Sequence, residues 1–250
     1  MQPDLETVTL DHLAGDWRIY QLKYGHRFSL DDVLVAWTAA RQRPQAQRVL
    51  DLGCGIGSVG LLTLYRLGPA AQLWGREAQS LSFELAQRTL QENDLAARVH
   101  LSLGDLREDW LGEQRFPLIT GSPPYFPLDQ ATPSPHPQRA AARMELRGDV
   151  FDYCRRAAAH LEEEGRFVFV HVASDARPEE AIRAAGLSLV QRQEVLFRSH
   201  LPPTASLFVC ALQGQRQDLQ PFVVRGQDGQ WTDEYLSMRA EMGTLMRRPV

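Results

Sequence analysis

The chain has 250 residues, of which 44% are hydrophobic and 23% charged, as in an ordinary globular protein with one large domain. No stretch approaches the roughly 20 apolar residues that cross a bilayer, which excludes an integral membrane protein. The acidic start MQPDLETVTLDHL lacks the pattern of a signal peptide, so we expect a cytoplasmic protein. The formal net charge of −4 argues mildly against a protein that grips nucleic acid by its phosphates.

The cysteines predict neither a disulfide framework nor a metal site. Cys54, Cys154 and Cys210 are too few and too scattered for either. We interpret each as a small buried side chain.

The elements are predicted to alternate between strands and helices along a single globular domain. Residues 1–45 hold a strand at Trp17–Leu22 and a helix from about Leu30 to Ala40, and we expect them to form a cap on residues 46–250. Short apolar runs then predict strands, and stretches with 3.6-residue periodicity between them predict helices, for example at Val150–Leu161. The predicted core strands are Arg48–Leu50, Gln72–Gly75, Val99–Leu103, Pro117–Thr120 and Arg166–His171.

The last third of the chain changes character. A short helix closes at Ala181–Ala185, and Leu187–Phe197 and Ala205–Leu212 then follow as long strands with no full helix between them. Strands joined by helices form a mainly parallel sheet, whereas two strands joined by a loop pair antiparallel. The predicted fold class is therefore a Rossmann-like α/β fold with a seven-stranded, mainly parallel sheet and a reversed last strand.

A glycine-rich loop follows the first core strand in the sequence VLDLGCGIG. Gly53, Gly55 and Gly57 alternate there, and glycine lets backbone approach a ligand where a Cβ would clash. Gly55, Gly57 and Gly60 also match the weak GxGxxG dinucleotide pattern, so an oxidoreductase is one interpretation of this loop.

Acids at three strand ends favour a different ligand. Asp51 precedes the glycines, Glu77 follows the second strand and Asp105 follows the third. S-adenosylmethionine (AdoMet) has no pyrophosphate and offers a ribose diol, an exocyclic amine and an ammonium, which are all hydrogen-bond donors. The three acids suit that set of donors, and AdoMet is the predicted cofactor.

The fourth core strand runs into Gly121-Ser122-Pro123-Pro124-Tyr125-Phe126. This resembles the Asn/Asp/Ser-Pro-Pro-aromatic motif of amino-group methyltransferases. A side-chain oxygen and a proline carbonyl can accept the N–H bonds of a planar amine, which favours the geometry and charge that develop during methyl transfer. The tyrosine ring can stack on a planar substrate. This chemistry requires no metal.

Three segments together are similar to the bacterial tRNA (valine) adenine-N6 methyltransferase family. They are the pattern RFSLD at residues 27–31, the glycine and SPPY loops, and the tail VVRGQDG at residues 223–229. The likeness extends over nearly the whole chain and implies a class I methyltransferase that acts on adenine in tRNA or another RNA, in the cytoplasm.

The resemblance also implies roles for individual residues. Asp31, Asp51, Gly53, Gly55, Glu77 and Asp105 are expected to bind AdoMet, with Asp31 near its methionine end and Asp105 facing its adenine. The residues expected to hold the target amine are Ser122, Pro123, Pro124 and Tyr125. Those expected at the substrate mouth are Arg27, Phe126, Arg139 and Arg143. Arg139, Arg143 and Arg147 have the spacing of one helix face, which suits either a phosphate-binding stripe or a solvated surface.

One departure leaves the substrate open. The family usually has asparagine where Ser122 stands, and serine offers a shorter hydroxyl in place of an amide carbonyl. The alternatives are therefore methylation of a protein glutamine or a small-molecule amine, or an AdoMet-binding partner subunit without activity. The sequence does not fix the oligomeric state.

Overall fold

A computed structural model of the chain describes residues 8–127 and 136–245. The loop Phe126–Gln138 holds four prolines, which predict an exposed and stiff segment, and its residues 128–135 lie outside the described residues.

Eight strands of the described chain form one sheet in the order β10-β8-β9-β7-β6-β3-β4-β5. Within it, β9 is antiparallel to both neighbours, and the other adjacent pairs are parallel. The bounds are β3 (Arg48–Leu52), β4 (Gln72–Glu77), β5 (Val99–Leu103), β6 (Phe116–Gly121), β7 (Leu161–Val172), β8 (Ser188–Leu196), β9 (Ala205–Ala211) and β10 (Phe222–Val223). The Rossmann-like prediction with a reversed late strand is confirmed.

The prediction of seven strands was wrong by one. Phe222 and Val223 pair in parallel with Val195 and Leu196 of β8 and add an eighth strand at the sheet edge. A two-residue strand leaves too little periodicity in the sequence to be recognised.

The helices α1 (Leu30–Gln42), α2 (Ser58–Leu67) and α3 (Ser80–Glu92) share one apolar cluster with the sheet. The second cluster, on α5 (Val150–His160) and α6 (Arg177–Ala184), involves other sheet residues such as Phe167 and Phe169. Helices on both faces bury a parallel sheet, which explains its continuous apolar runs. The remaining helices are α4 (Pro137–Arg143) and α7 (Asp233–Glu241).

The N-terminal residues also contribute to the core. Strands β1 (Val8–Ala14) and β2 (Trp17–Leu22) form a separate antiparallel hairpin, and Tyr20 N–H donates to Thr89 Oγ1 of α3 at 3.0 Å. Leu13, Ile19 and most of α1 are buried in the same cluster as the sheet. The predicted boundary at residue 45 stays a prediction.

Two helices that border the functional site begin with side-chain caps. At α5, Asp152 N–H donates to Asp149 Oδ1 at 3.0 Å, and Asp149 N–H donates back to Asp152 Oδ2 at 3.1 Å. At α1, Ser29 N–H donates to Asp32 Oδ2 at 2.6 Å. Such caps satisfy N–H groups that a helix start leaves without partners, and they fix where each helix begins.

Candidate functional site

The carboxyl ends of the parallel strands β3, β4 and β6 meet at one edge of the sheet, and the loops that follow them enclose a cavity of about 680 Å³. This size suits a small-molecule site at the crossing point of an open α/β sheet. Acidic residues lining the cavity are Asp31, Asp32, Asp51 and Glu77. Basic residues lining it are Lys23, Arg27, Arg76, Arg139, Arg143 and Arg147.

The glycine loop has a backbone that other residues adopt only with strain. Gly53, Gly55 and Gly57 have φ values of +58°, +57° and +88°. A Cβ at Gly53 would lie 2.0 Å from the Tyr153 hydroxyl oxygen, because Tyr153 of α5 packs directly on the loop. Glycine is therefore required at this position by both conformation and space.

Asp51 is a buried brace for this loop. Its Oδ2 accepts Gly60 N–H at 3.0 Å, and its Oδ1 accepts the Thr120 hydroxyl at 2.8 Å, so the carboxylate joins β3 to α2 and β6. Burial raises the pKa of Asp51 to about 7, although both hydrogen bonds favour the charged form. Asp51 lies in the cavity wall as predicted, but its oxygens already have protein partners.

Glu77 at the end of β4 orders two loops. Its Oε2 accepts Gly55 N–H at 2.9 Å, and its Oε1 accepts Gln79 N–H at 2.6 Å. Burial raises the pKa of this carboxyl group. Each carboxylate oxygen has a second acceptor position, so Glu77 can still receive a hydrogen bond from a ligand in the cavity.

Asp105 is placed differently from the other predicted acids. Its neighbours Gly104 and Leu106 line the cavity, whereas Asp105 is absent from the wall. Its carboxylate accepts Arg107 Nε at 2.9 Å and Arg107 Nη2 at 2.6 Å, and these hydrogen bonds lower its pKa. In this structure the carboxylate of Asp105 is paired with Arg107, and its predicted role at the adenine stays a prediction.

The SPPY loop, residues 122–125, forms the opposite wall of the cavity. The Tyr125 hydroxyl donates to Asp31 Oδ2 at 2.9 Å, so Asp31 joins the start of α1 to this loop. Burial raises the pKa of Asp31. Three of the four predicted cofactor acids, Asp31, Asp51 and Glu77, therefore line the same cavity as the predicted amine-binding loop.

Three of the four residues predicted at the substrate mouth line the cavity. Arg27 lines it while pairing with Asp11 at 2.9 Å, and Arg139 and Arg143 line it from α4. Phe126 lies behind the wall, where the Arg143 guanidinium packs over its ring.

The expectation that three arginines share one helix face was wrong for Arg147. Helix α4 ends at Arg143, and Met144 has an extended backbone. Arg147 reaches the cavity from the following segment, where its guanidinium donates to the Ala78 carbonyl.

Tyr153 and Asp32 are among the residues of the cavity wall that sequence reasoning missed. Tyr153 sits on α5, and its helical periodicity marks it only as a core residue. Asp32 accepts Ser58 Oγ at 3.1 Å and so joins the starts of α1 and α2. The Ser29-x-x-Asp32 spacing signals a helix cap, which could have marked this position.

The described part of the chain lacks two further kinds of feature. It holds no group of three or more His, Cys, Asp or Glu side chains arranged for a metal ion. None of its helices is both long and apolar enough to cross a membrane.

Comparisons with known proteins agree with this geometry. Residues 32–185 match the family described as "Methyltransferase small domain". The tRNA1(Val) (adenine(37)-N6)-methyltransferase of Pasteurella multocida is 26% identical over 213 residues, which cover 82% of this chain and 84% of that protein. The release factor glutamine methyltransferase of Geobacter sulfurreducens is 35% identical over 128 residues, which cover 50% of this chain and 44% of that protein.

A solved structure supports the fold. A predicted O-methyltransferase from Agrobacterium tumefaciens superposes with a TM-score of 0.65 at 18% identity, covering 88% of this chain and 100% of that one.

The fold is thus that of a class I methyltransferase. The match over residues 32–185 shows that the chain belongs to the methyltransferase small domain family. It is an AdoMet-dependent methyltransferase, and the predicted resemblance to tRNA adenine-N6 methyltransferases is confirmed.

Proposed function

We propose that the protein transfers a methyl group from AdoMet to the exocyclic amine of an adenine in RNA, most specifically in tRNA. The single observation that carries this proposal is the division of charge around one cavity. The lining acids are buried or half-buried beside the glycine and SPPY loops, whereas the lining cations Lys23, Arg139, Arg143 and Arg147 are exposed and form the entrance on the solvent side.

The interior suits the donors of AdoMet. Glu77 offers free acceptor positions to the ribose diol, and Asp31 offers its second oxygen to the ammonium. Gly55, whose Cβ position is open space, lets the cofactor approach the backbone that Asp51 braces, whereas Gly53 makes room for Tyr153. When bound, AdoMet supplies an electrophilic methyl group on sulfur.

The SPPY loop suits a planar amine. Ser122 offers a hydroxyl oxygen and Pro123 a carbonyl, and acceptors on the two N–H bonds stabilise the positive charge that develops on nitrogen. Pro124 has no N–H to compete for that carbonyl. The nitrogen lone pair forms the new bond to the methyl carbon as the carbon–sulfur bond breaks, and the nitrogen then loses one proton to solvent.

The entrance suits a polyanion despite the net charge of −4. Arg139 and Arg143 are exposed and form no ion pair among the described residues. Tyr24 also lines the entrance with 64% of its surface exposed, and an exposed ring beside cations offers a stacking surface for a base. Similarity over 82% of the chain to a tRNA adenine methyltransferase supports the same substrate class.

A second candidate is methylation of a protein glutamine. The Geobacter sulfurreducens glutamine methyltransferase supports it with the higher identity, 35%, although over half of the chain. A glutamine amide is also a planar nitrogen group that the SPPY loop could accept. A protein substrate gives no reason for unpaired arginines at the entrance, so we favour RNA.

The substrate class can be tested with purified protein and methyl-labelled AdoMet. Total tRNA, ribosomal RNA, a protein lysate and a metabolite extract are offered in parallel, with the Ser122→Ala variant as a control for adventitious methylation. We expect label in the tRNA fraction that falls strongly with Ser122→Ala. Label confined to the protein lysate would replace the RNA proposal by the glutamine proposal.

A further inference from the structure

The SPPY loop and Phe126 have little regular structure to hold them. Pro123 and Pro124 lack N–H groups, and the segment forms one isolated bridge, between Phe126 and Met144. Methyl transfer nevertheless requires the reacting atoms to stay aligned, and an error of 1 Å can cost about 100-fold in rate. Side chains from neighbouring elements must therefore fix this loop.

Arg177, the first residue of α6, contacts the loop from outside the cavity. Its Nη2 donates to the Tyr125 carbonyl at 3.4 Å. Its Nη1 donates to Glu145 Oε1 at 2.6 Å, and Glu145 N–H in turn donates to the Phe126 carbonyl at 3.1 Å. One guanidinium thus connects the loop to the segment that follows α4.

The guanidinium is itself held firmly. Asp175 Oδ1 accepts Arg177 Nε at 3.2 Å and Asp175 Oδ2 accepts Arg177 Nη2 at 2.6 Å, which is a bidentate ion pair. These contacts raise the pKa of Arg177, so it stays charged at any physiological pH. With 28% of its side chain exposed, its position is more constrained than that of a surface arginine.

A buried histidine completes the support behind Tyr125. The ring of His171 on β7 is fully buried, and its centroid lies 5.2 Å from that of Tyr125. Burial lowers the pKa of His171 to about 4, so it packs there as a neutral ring. Tyr125 is thereby held at its ring by His171, at its hydroxyl by Asp31 and at its carbonyl by Arg177.

We propose that Arg177 is a positioning residue for methyl transfer, which acts through Tyr125 and Glu145 to keep the SPPY loop aligned with the cofactor methyl group. Arg177 does not line the cavity, so its contribution is to the rate of transfer and not to AdoMet binding. The inference rests on the proposed function only in using tRNA as the assayed substrate.

The chain offers a matched control in Arg216. Its guanidinium also forms a bidentate pair, with Asp218 at 2.8 and 2.9 Å, and reaches a second acid, Glu179, at 3.1 Å. Among the described residues, Arg216 makes no hydrogen bond or ion pair with residues 122–126, and it lies outside the cavity wall. Arg216→Met therefore removes comparable ion pairs without touching the SPPY loop.

The experiment compares Arg177→Met, Arg177→Lys and Arg216→Met in kcat, KM for total tRNA and calorimetric Kd for AdoMet. For Arg177→Met we expect kcat to fall about 10- to 100-fold, with the AdoMet Kd within about threefold of the parent value. Lysine should restore part of the loss, because it keeps the charge but not the fork geometry. Arg216→Met should keep the parental kcat.

Hydrogen exchange provides a readout that is independent of the substrate. The amides of Phe126 and Glu145 should lose protection at least tenfold in Arg177→Met and keep it in Arg216→Met. If neither tRNA nor any other substrate fraction is methylated, the RNA proposal fails, but the exchange rates of these two amides still test the positioning role of Arg177. Unchanged kcat and exchange in Arg177→Met, or equal losses in Arg216→Met, would overturn the inference. If Arg177→Met does not fold, Glu145→Gln serves in its place, because it weakens the hydrogen bond from Arg177 to Glu145. It should then give smaller losses of kcat and of amide protection.

Discussion

At the scale of single residues, the acids of the cavity divide into braces and binding groups. Asp51 and Glu77 each accept one protein hydrogen bond on each oxygen, but Asp51 joins β3 to α2 and β6, whereas Glu77 orders two loops, and we propose that its remaining acceptor positions meet the ligand. The sequence placed both acids at strand ends correctly. It could not reveal the brace, because Thr120 is 69 residues away and meets Asp51 only when β6 pairs with β3.

The raised pKa of Asp51 predicts a pH-dependent cost to stability. Its pKa is about 7 in the fold against 3.8 in an unfolded chain, so between these values the folded state binds more protons. The contribution of Asp51 is therefore most favourable below pH 4 and is lost as pH rises through about 7. Asp51→Asn should remove this dependence.

Urea unfolding at pH 5 and pH 8 measures this effect as the difference between the parent and Asp51→Asn. We expect the parent to lose more stability than the variant on going to pH 8. An equal change in both proteins would show that Asp51 titrates normally.

The different surroundings of Glu77 and Asp105 predict unequal effects on AdoMet binding. Glu77→Ala removes an acceptor that faces the cavity and should weaken binding about 10- to 100-fold. Asp105→Ala should change Kd less than about threefold, because its carboxylate is occupied by Arg107. Calorimetry compares the two, and an equal loss would show that Asp105 turns into the cavity to meet the adenine.

Ser122 decides between substrate classes. Ser122→Ala should keep AdoMet binding and lower turnover about 100- to 1000-fold, the usual loss for one positioned acceptor. Ser122→Asn restores the residue that the resembling family usually carries and should keep or raise activity on tRNA. A strong loss of tRNA turnover in the asparagine variant would indicate a pocket shaped for another amine.

At the scale of elements, α4 brings cations to the entrance. Gln138 anchors it by accepting His26 N–H at 2.6 Å and donating to Ser82 Oγ at 3.1 Å, so Arg139 and Arg143 project at a fixed place beside the cavity. The spacing of the arginines predicted a shared face, but the helix is too short to include Arg147.

Replacing Arg139 and Arg143 with alanine should weaken binding of tRNA and reduce the slope of log affinity against log salt by up to about two units. The control replaces Arg43 and Arg115, which precede β3 and β6 at the amino-terminal edge of the sheet, far from the carboxyl edge that holds the cavity. Filter binding of tRNA at several salt concentrations gives this slope for each of the two double variants. The same slope for both double variants would argue against α4 as a phosphate contact.

Most elements were predictable because their signals are local. The apolar runs of the core strands and the glycine loop are continuous in sequence, and β5 was predicted with its observed bounds. The hairpin strand β1 and the short β10 were missed, since polar residues interrupt β1 and β10 has two residues. The contacts of Arg177 could not be predicted from the sequence. Its partners Glu145 and Tyr125 lie 32 and 52 positions before it in the chain and meet it only in the folded protein.

At the scale of the whole molecule, an overall charge of −4 conceals a division between an acidic cavity and a basic entrance. The net charge alone therefore does not predict the local charge of the surface that a substrate contacts. The fold creates this division by gathering the strand-end acids at one edge and placing α4 and the segment before α1 around them.

The most direct test of the account is to identify the methylated atom. Unmodified tRNA is incubated with the protein and methyl-labelled AdoMet, digested to nucleosides and resolved by chromatography with mass detection. We predict label in N6-methyladenosine, with Ser122→Ala reducing it strongly. Label on any other nucleoside, or label absent from tRNA but present on protein glutamine, would contradict the account.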